Sequence, residues 1–292
     1  MKIKLAVVIA FVALGNVLAG YYLKDIYAMS VIILGITAVG FIALYMWLLK
    51  PIQDMQKKLR QMEEENRQLE VMRKEFVANV THELRTPLTS IIGFIETLQD
   101  GAADDPEIRN KFIDIIAIET SRLKRLIEDT LVLSDIESKN VGSHEKINIK
   151  TTIQGIVTVM EPIAHKNKVT ILSDVDANLF IWGHEDRFRQ MLVNIVENAI
   201  KYSNEGGRVW IEGRLLYGKI VITVRDEGIG ISKENLDRLF ERFYRVDKSR
   251  SRKVGGTGLG LSIVKHIAVL FNAEIKVDSK LGEGSTFTIS FR

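Results

Sequence analysis

Apolar residues follow three different rhythms along this chain. From Leu5 to Leu23, LAVVIAFVALGNVLAGYYL, they are nearly unbroken, with no charge and only Asn16 as a strongly polar interruption. As a helix this stretch spans roughly 28 Å at about 1.5 Å per residue, the thickness of a bilayer's hydrocarbon core. A second uncharged run, Met29 to Leu49, follows almost at once, with Tyr45 and Trp47 near one end, where interfacial anchors are expected. A cleaved leader would also explain the first run, because Lys2 and Lys4 precede it and VLAG loosely fits a cleavage site. The second run favours a two-helix transmembrane hairpin over 1–49, with spans at 5–23 and 29–49. Lys2 and Lys4 on one side and Lys50, Lys57, Lys58 and Arg60 on the other put both ends in the cytoplasm by the positive-inside rule. Only Lys24 to Ala28 is then left outside, too little to fold around a ligand.

The second rhythm begins after Pro51. Ile52, Met55, Leu59, Met62, Leu69 and Phe76 recur in steps of three and four, with Asn66 on the same seam, where a buried Asn fixes register and strand number. Residues 50–75 therefore predict a parallel coiled coil between two copies, with a lone amphipathic surface helix as the alternative. The stripe continues through Phe76, Val77, Val80, Leu84, Leu88, Ile91, Ile92 and Ile95 to a helix end near Gln99. DGAADDPE then supplies Gly101, an Asp105 N-cap, Pro106 at the first helical position and Glu107 in the first turn. Ile108, Phe112, Ile115, Ile116, Ile118, Leu123, Leu126, Ile127 and Leu131 carry a second helix to about Ile136. Residues 76–138 thus predict an antiparallel helical hairpin, and two hairpins make a four-helix bundle. Residues 139–146, within the polar stretch ESKNVGSHEK, read as a linker.

From Ile147 onward the rhythm alternates between periods of two and 3.6. Strand-like runs fall at KVTILSDV, RVWIEGRL, KIVITVRD, AEIKVDS and STFTISF, with helices at Thr151 to Lys166, Glu185 to Tyr202 and Gly260 to Phe271. Helices covering one face of a largely antiparallel sheet give an α+β sandwich over 147–292.

Composition narrows the chemistry. The net charge of +3, with basic and acidic residues well mixed, disfavours a nucleic-acid surface. The absence of cysteine removes disulfides, thiolate metal sites and a cysteine nucleophile. What remains is a set of unusual local groupings. In VTHELRTPLT, His82 lies two residues from Val80 and two from Leu84, so it points off the apolar stripe into solvent. Glu83, Arg85 and Thr86 surround it, and Pro87 interrupts the backbone ladder. A neutral imidazole is a competent nucleophile near neutral pH, and a carboxylate can orient its ring and accept its proton. In QMLVNIVENAIKY, Asn194, Glu197, Asn198, Lys201 and Tyr202 share one helical face. Such a face is commonly just solvated, but two asparagines one turn apart can offer hard oxygens to a magnesium–phosphate complex. VRDEGIGI ends a strand at Asp226 and follows it with Gly228 and Gly230, and VGGTGLGLSIVKHI places Gly255, Gly256, Gly258 and Gly260 just before a helix, where backbone amides bind phosphate. The spacing matches neither the P-loop nor the dinucleotide fingerprint.

The ordered run THELRTPLT, NIVENAIKYS, DEGIGI, LFERFYRVD and GGTGLGLSIVK resembles the five motif boxes of membrane sensor histidine kinases of two-component systems. The resemblance extends over residues 50–292, and RKEFVANVTHELRTPLTSIIGFIETLQDGA looks most like the phosphate-regulon sensor subgroup of Gram-positive bacteria. It implies the histidine kinase/Hsp90-like ATPase fold, ATP and Mg2+ as cofactors, a homodimer, and a response regulator receiver domain as partner. By that resemblance His82 is the phosphoacceptor, Glu83 orients it and takes its proton, and Thr86 positions a water for regulator dephosphorylation. Asn194 and Asn198 would hold the metal and phosphates, Lys201 a phosphate, and Tyr202 would line the nucleotide. Asp226 would accept from the adenine amino group while Gly228 and Gly230 let the base approach the backbone. Phe240, Phe243 and Arg245 would belong to a mobile lid, with Arg245 meeting the γ-phosphate, and Gly256, Thr257, Gly258, Leu259 and Gly260 would close on the phosphates. Two features depart from the family pattern: no large external or relay domain fits before His82, and His184 stands where many relatives have aspartate. Without the histidine box, the same ATP-binding fold would suit a nucleotide-driven clamp or a non-catalytic scaffold.

Overall fold

The computed structural model describes residues 2–22, 26–137, 144–246 and 256–291. It divides into two compact units, Met1–Glu75 and Phe76–Arg292.

In the first unit, α1 (Lys2–Tyr22) and α2 (Ile26–Leu44) pack together through small residues. A Cβ on Gly15 would stand 3.0 Å from Ile36, and one on Gly40 would stand 3.2 Å from Val12, so these glycines let the helices approach. Outward-facing Phe11, Leu34 and Phe41 are each about three-quarters exposed, as suits a lipid-facing surface. The predicted spans and the observed helices differ at the second span's end. α2 passes through a π-helical turn, Tyr45–Leu49, into α3 (Lys50–Gln99). Pro51 has no N–H to continue the ladder, and the wider turn closes instead with the Lys50 N–H donating to the Tyr45 carbonyl. By length and composition, Met29–Gln99 is the one described helix able to cross a membrane, whereas the apolar part of α1 shortens to Val7–Tyr21.

In the second unit, the rest of α3 and α4 (Pro106–Glu137) form the antiparallel hairpin. Asp105 caps α4, its Oδ1 accepting from the N–H groups of Glu107 and Ile108 at 2.8 and 3.2 Å. Across the hairpin the Phe94 and Phe112 rings lie 5.0 Å apart and Glu83 pairs with Arg122.

The sandwich begins earlier than Ile147. β1 (Glu145–Asn148) takes in the last two residues expected of the linker, and residues 139–143 of that linker, with residue 138 before it, lie outside the described residues. After α5 (Ile149–Lys166) and β2 (Thr170–Val175), β3 (Phe180–Gly183) pairs antiparallel with β1, a two-stranded sheet whose strands are too short to show periodicity. α6 (Glu185–Tyr202), β4 (Arg208–Leu216), β5 (Lys219–Asp226), the single turn α7 (Lys233–Leu236), α8 (Gly260–Leu270), β6 (Glu274–Lys280) and β7 (Gly284–Phe291) complete the domain. The main sheet runs β2-β4-β5-β7-β6, antiparallel apart from the parallel β2–β4 pair. Val209, Ile211, Ile222, Val224, Phe287 and Ile289 face inward and meet Phe188, Met191, Ile195, Ile263 and Ile267 from α6 and α8, all buried. This is the expected α+β sandwich.

Candidate active site

Helix α6 has an apolar face and a polar one. Phe188, Met191, Leu192, Ile195, Val196, Ala199 and Ile200 are buried, while Asn194, Glu197, Asn198, Lys201 and Tyr202 line a cavity of about 300 Å³. The polar stripe is therefore the wall of a recess sized for a small molecule. Asn194 is fixed within it: its Oδ1 accepts from Gln190 Nε2 at 3.2 Å and its Nδ2 donates to the Gly260 carbonyl at 3.2 Å. Lys201 donates to Glu197 at 2.8 Å, and Arg125 of α4 reaches the same carboxylate oxygen at 3.5 Å.

Asp226 ends β5 and is 6% exposed. Its Oδ1 accepts from the N–H groups of Gly228 at 2.9 Å and Ser285 at 3.2 Å. Burial nevertheless pushes its carboxyl above the ordinary aspartate range, because those two bonds only partly offset the lost hydration. No hydrogen bond to Oδ2 occurs among the described residues, so that oxygen can receive a ligand's donor. Ile229, Ile231, Leu239 and Phe287 supply apolar wall around it.

The two glycines after Asp226 serve the protein's own backbone. A Cβ on Gly228 would sit 2.2 Å from the Tyr202 carbonyl oxygen, and one on Gly230, at φ +66°, would sit 2.0 Å from that of Lys280. Gly230 also lines the cavity, whereas Gly228 does not; at both positions close approach within the chain itself leaves no room for a side chain.

Gly256, Thr257 and Gly258 line the cavity before α8, and Gly260 lines it as the first residue of that helix. Leu259 is fully buried and anchors the loop instead, its N–H donating to Thr257 Oγ1 at 3.3 Å. Arg245 lines the cavity, as do Leu239 and Tyr244, but half-buried Phe240 does not. Phe243, at φ +62°, donates its N–H to the Gly258 carbonyl at 2.9 Å and sets its ring 6.0 Å from Phe76. Gly255 and the rest of 247–255 lie outside the described residues.

His82 is exposed, as its place off the stripe predicts. Pro87 is buried in a helix that continues past it, and the Thr86 hydroxyl donates to the His82 carbonyl at 3.2 Å. Glu83 accepts from Arg122 Nη2 at 2.9 Å, and no hydrogen bond joins Glu83 to His82 among the described residues. Neighbouring residues on a helix do not face one another, which explains the choice.

Sequence reasoning missed the contribution of α4. Arg125 and Asp129 both line the cavity, and the buried Asp129 accepts from Thr257 Oγ1 at 2.7 Å. Burial raises the Asp129 carboxyl above its ordinary range, with the Thr257 bond and Arg125 opposing the shift. Ser285 was also missed; it meets Asp226 through β5–β7 pairing. None of these contacts follows a local spacing.

A hairpin presenting a solvent-facing histidine, joined to a sandwich whose cavity combines a buried carboxylate, an asparagine-rich helix face and a glycine loop at a helix N-terminus, is an arrangement suited to phosphoryl transfer. Residues 72–139 match the His Kinase A (phospho-acceptor) domain, and residues 183–292 match the histidine kinase-, DNA gyrase B- and HSP90-like ATPase family. The sensor histidine kinase WalK of Bacillus subtilis (strain 168) is 41% identical over 233 residues, covering 77% of this chain and 38% of that protein, so the chain spans well under half of that relative's length. Among solved structures, histidine kinase ThkA in complex with response regulator protein TrrA aligns with a TM-score of 0.61 at 26% identity, over 80% of this chain and 65% of that one. Full-length ShkA in complex with AMPPNP aligns with a TM-score of 0.54 at 26% identity, over 74% and 45%. The chain belongs to the sensor histidine kinases.

Proposed function

We propose that this protein uses ATP to phosphorylate His82 and then passes the phosphoryl group to an aspartate on a response regulator. The observation that carries the reading is the convergence of Asn194, Asn198, Lys201, Tyr202, Asp226, Arg245 and the Gly256–Gly260 loop on one cavity, in a chain whose hairpin exposes a histidine. An imidazole nitrogen of His82 attacks the γ-phosphorus, a P–N bond forms, the P–O bond to ADP breaks, and the imidazole proton departs. Glu83 is the neighbouring carboxylate to take it, once released from Arg122. Catalysis here is positioning and charge neutralisation, supplied by Lys201, Arg245 and the loop amides. The hard oxygens of Asn194 and Asn198 suit Mg2+, which when bound offsets phosphate charge. ThkA's complex with TrrA supports a receiver domain as the onward partner. Thr86 beside His82 supports regulator dephosphorylation as a second activity.

The part-exposed stripe of Val77, Leu88, Ile92 and Ile95 supports a homodimer through a four-helix bundle, and exposed Ile52, Met55, Leu59 and Met62 support a coiled coil leading into it. The apolar α1–α2 pair supports a two-span anchor with both ends cytoplasmic.

The test is incubation of the full chain in lipid nanodiscs with γ-labelled ATP and magnesium, beside His82→Gln. Acid-labile, alkali-stable label is expected on the parent alone. A parent that binds AMPPNP yet takes no label would overturn the kinase reading in favour of a scaffold.

A further inference from the structure

The cavity is lined by more than the sandwich. Arg125 and Asp129, one helical turn apart on α4, both enter its wall, and each is tied to a group that a nucleotide would need. Asp129 Oδ2 takes the Thr257 hydroxyl at 2.7 Å, and Thr257 Oγ1 in turn accepts from the Leu259 N–H at 3.3 Å, so the aspartate pins the glycine loop that lines the recess. Arg125 shares one oxygen of Glu197 with Lys201, at 3.5 and 2.8 Å, and that carboxylate holds both cations. Asp129 is 9% exposed, and Glu197 also lines the recess. With Asp226, three carboxylates therefore face a volume that, on the reading above, receives a polyanion.

Charge decides the consequence. A triphosphate entering this recess meets the poorly screened negative charge of Asp129 and competes with Glu197 for Lys201 and Arg125. Both conflicts are relieved if α4 withdraws: Asp129 leaves, Thr257 is freed, and Arg125 releases Glu197. We propose that Asp129 and Arg125 make α4 a nucleotide-responsive clasp, so that the docked hairpin and a bound nucleoside triphosphate oppose each other and loading the cavity frees the histidine-bearing hairpin. The clasp rests on the ATP-binding reading of the same cavity and adds to it a regulatory role for two residues outside the sandwich. By linkage, whatever weakens docking must strengthen nucleotide binding by the same factor.

This reciprocity gives a test that damage to the fold cannot imitate. Asp129→Asn keeps an oxygen to accept from Thr257 but removes the charge. AMPPNP with magnesium, titrated calorimetrically into the full chain in nanodiscs, is expected to bind the variant about tenfold more tightly, the size of a one-unit interaction between neighbouring charges. Arg125→Gln, which removes the docking pair with Glu197 from the α4 side, is expected to tighten binding as well, against the loss that deleting a cation beside phosphate would otherwise cause. Unchanged or weaker binding in both variants, with the parent binding normally, would overturn the clasp and leave the ATP reading standing. A parent that binds no AMPPNP would overturn both.

Discussion

The helical hairpin and the sandwich it joins show two ways for one chain to treat apolar residues. In the sandwich the period-two and period-3.6 patterns close on each other: Phe188, Met191, Ile195, Ile222 and Ile263 are all fully buried within one chain. In the hairpin, Leu126 and Leu133 are buried against the sandwich, but other residues of equal hydrophobicity stay part exposed, with Leu88 at 48% and Ile92 at 47%. Two helices have only one face each to offer the other, so the stripes that face away need a further surface. The sandwich thus closes its core within one chain, whereas the hairpin leaves an apolar stripe uncovered. That difference suits the proposed activities, because a nucleotide cavity must keep its shape while a phosphoacceptor hairpin must be open to more than one partner.

The largest expected break in this comparison is Phe188→Ala. The ring lies 5.9 Å from Phe291 and 6.1 Å from Phe271 at the centre of the sandwich, and its removal should cost about 3–5 kcal/mol. Urea unfolding followed by nucleotide-protected fluorescence should show the sandwich losing its cooperative transition at the parent's midpoint; a cost under about 1 kcal/mol would mean the core is not closed there. A smaller effect of different kind is expected from Ile92→Asp. The chain itself loses little, since the side chain is already part exposed. The dimer should weaken by about 2 kcal/mol, roughly thirtyfold, measured by mass photometry across a dilution series in nanodiscs or detergent. An unchanged dimer would place the contact on a different face.

Legibility in the sequence follows the same division. The hairpin could be read closely because its signals are local: Asp105 caps α4 where the DDPE signature says, and Gln99 ends α3. Most strands and all three long sandwich helices were also readable from their periods, α6 to the residue. β1 and β3 were not, because four residues carry no period and their pairing is set by the tertiary fold. Of the site, Asn194, Glu197, Asn198, Lys201 and Tyr202 line one cavity because they share a helix face, whereas Gly228, Phe240 and Leu259 do not line it. The contributions of Arg125, Asp129 and Ser285 depend on separations that no spacing records; Asp129 and Thr257 are 128 residues apart. The glycines show a subtler limit. Their necessity was legible at Gly228 and Gly230, but the contact that requires it, to Tyr202 and Lys280, was visible only in three dimensions.

The smallest expected effect concerns the acidity of the cavity and separates its buried carboxylates from the exposed charges of the hairpin. Asp226 has a folded-state pKa raised above 3.8 by burial, so the folded chain holds its proton at pH values where the unfolded chain has released it. Stability from this group is therefore full below 3.8 and declines as pH rises through the raised value, the reverse of a salt-bridged aspartate. Asp226→Asn keeps an oxygen for the Gly228 and Ser285 N–H groups and removes the titration. Urea midpoints measured upward from pH 3.8 should show the variant gaining on the parent as pH rises, with the gap levelling off once Asp226 is fully ionised. Asp129, shifted in the same direction, is present in both proteins and cancels in the difference. A parent that gains on the variant with rising pH would mean that the two backbone bonds outweigh the burial of Asp226, and that the cavity favours the carboxylate rather than penalising it.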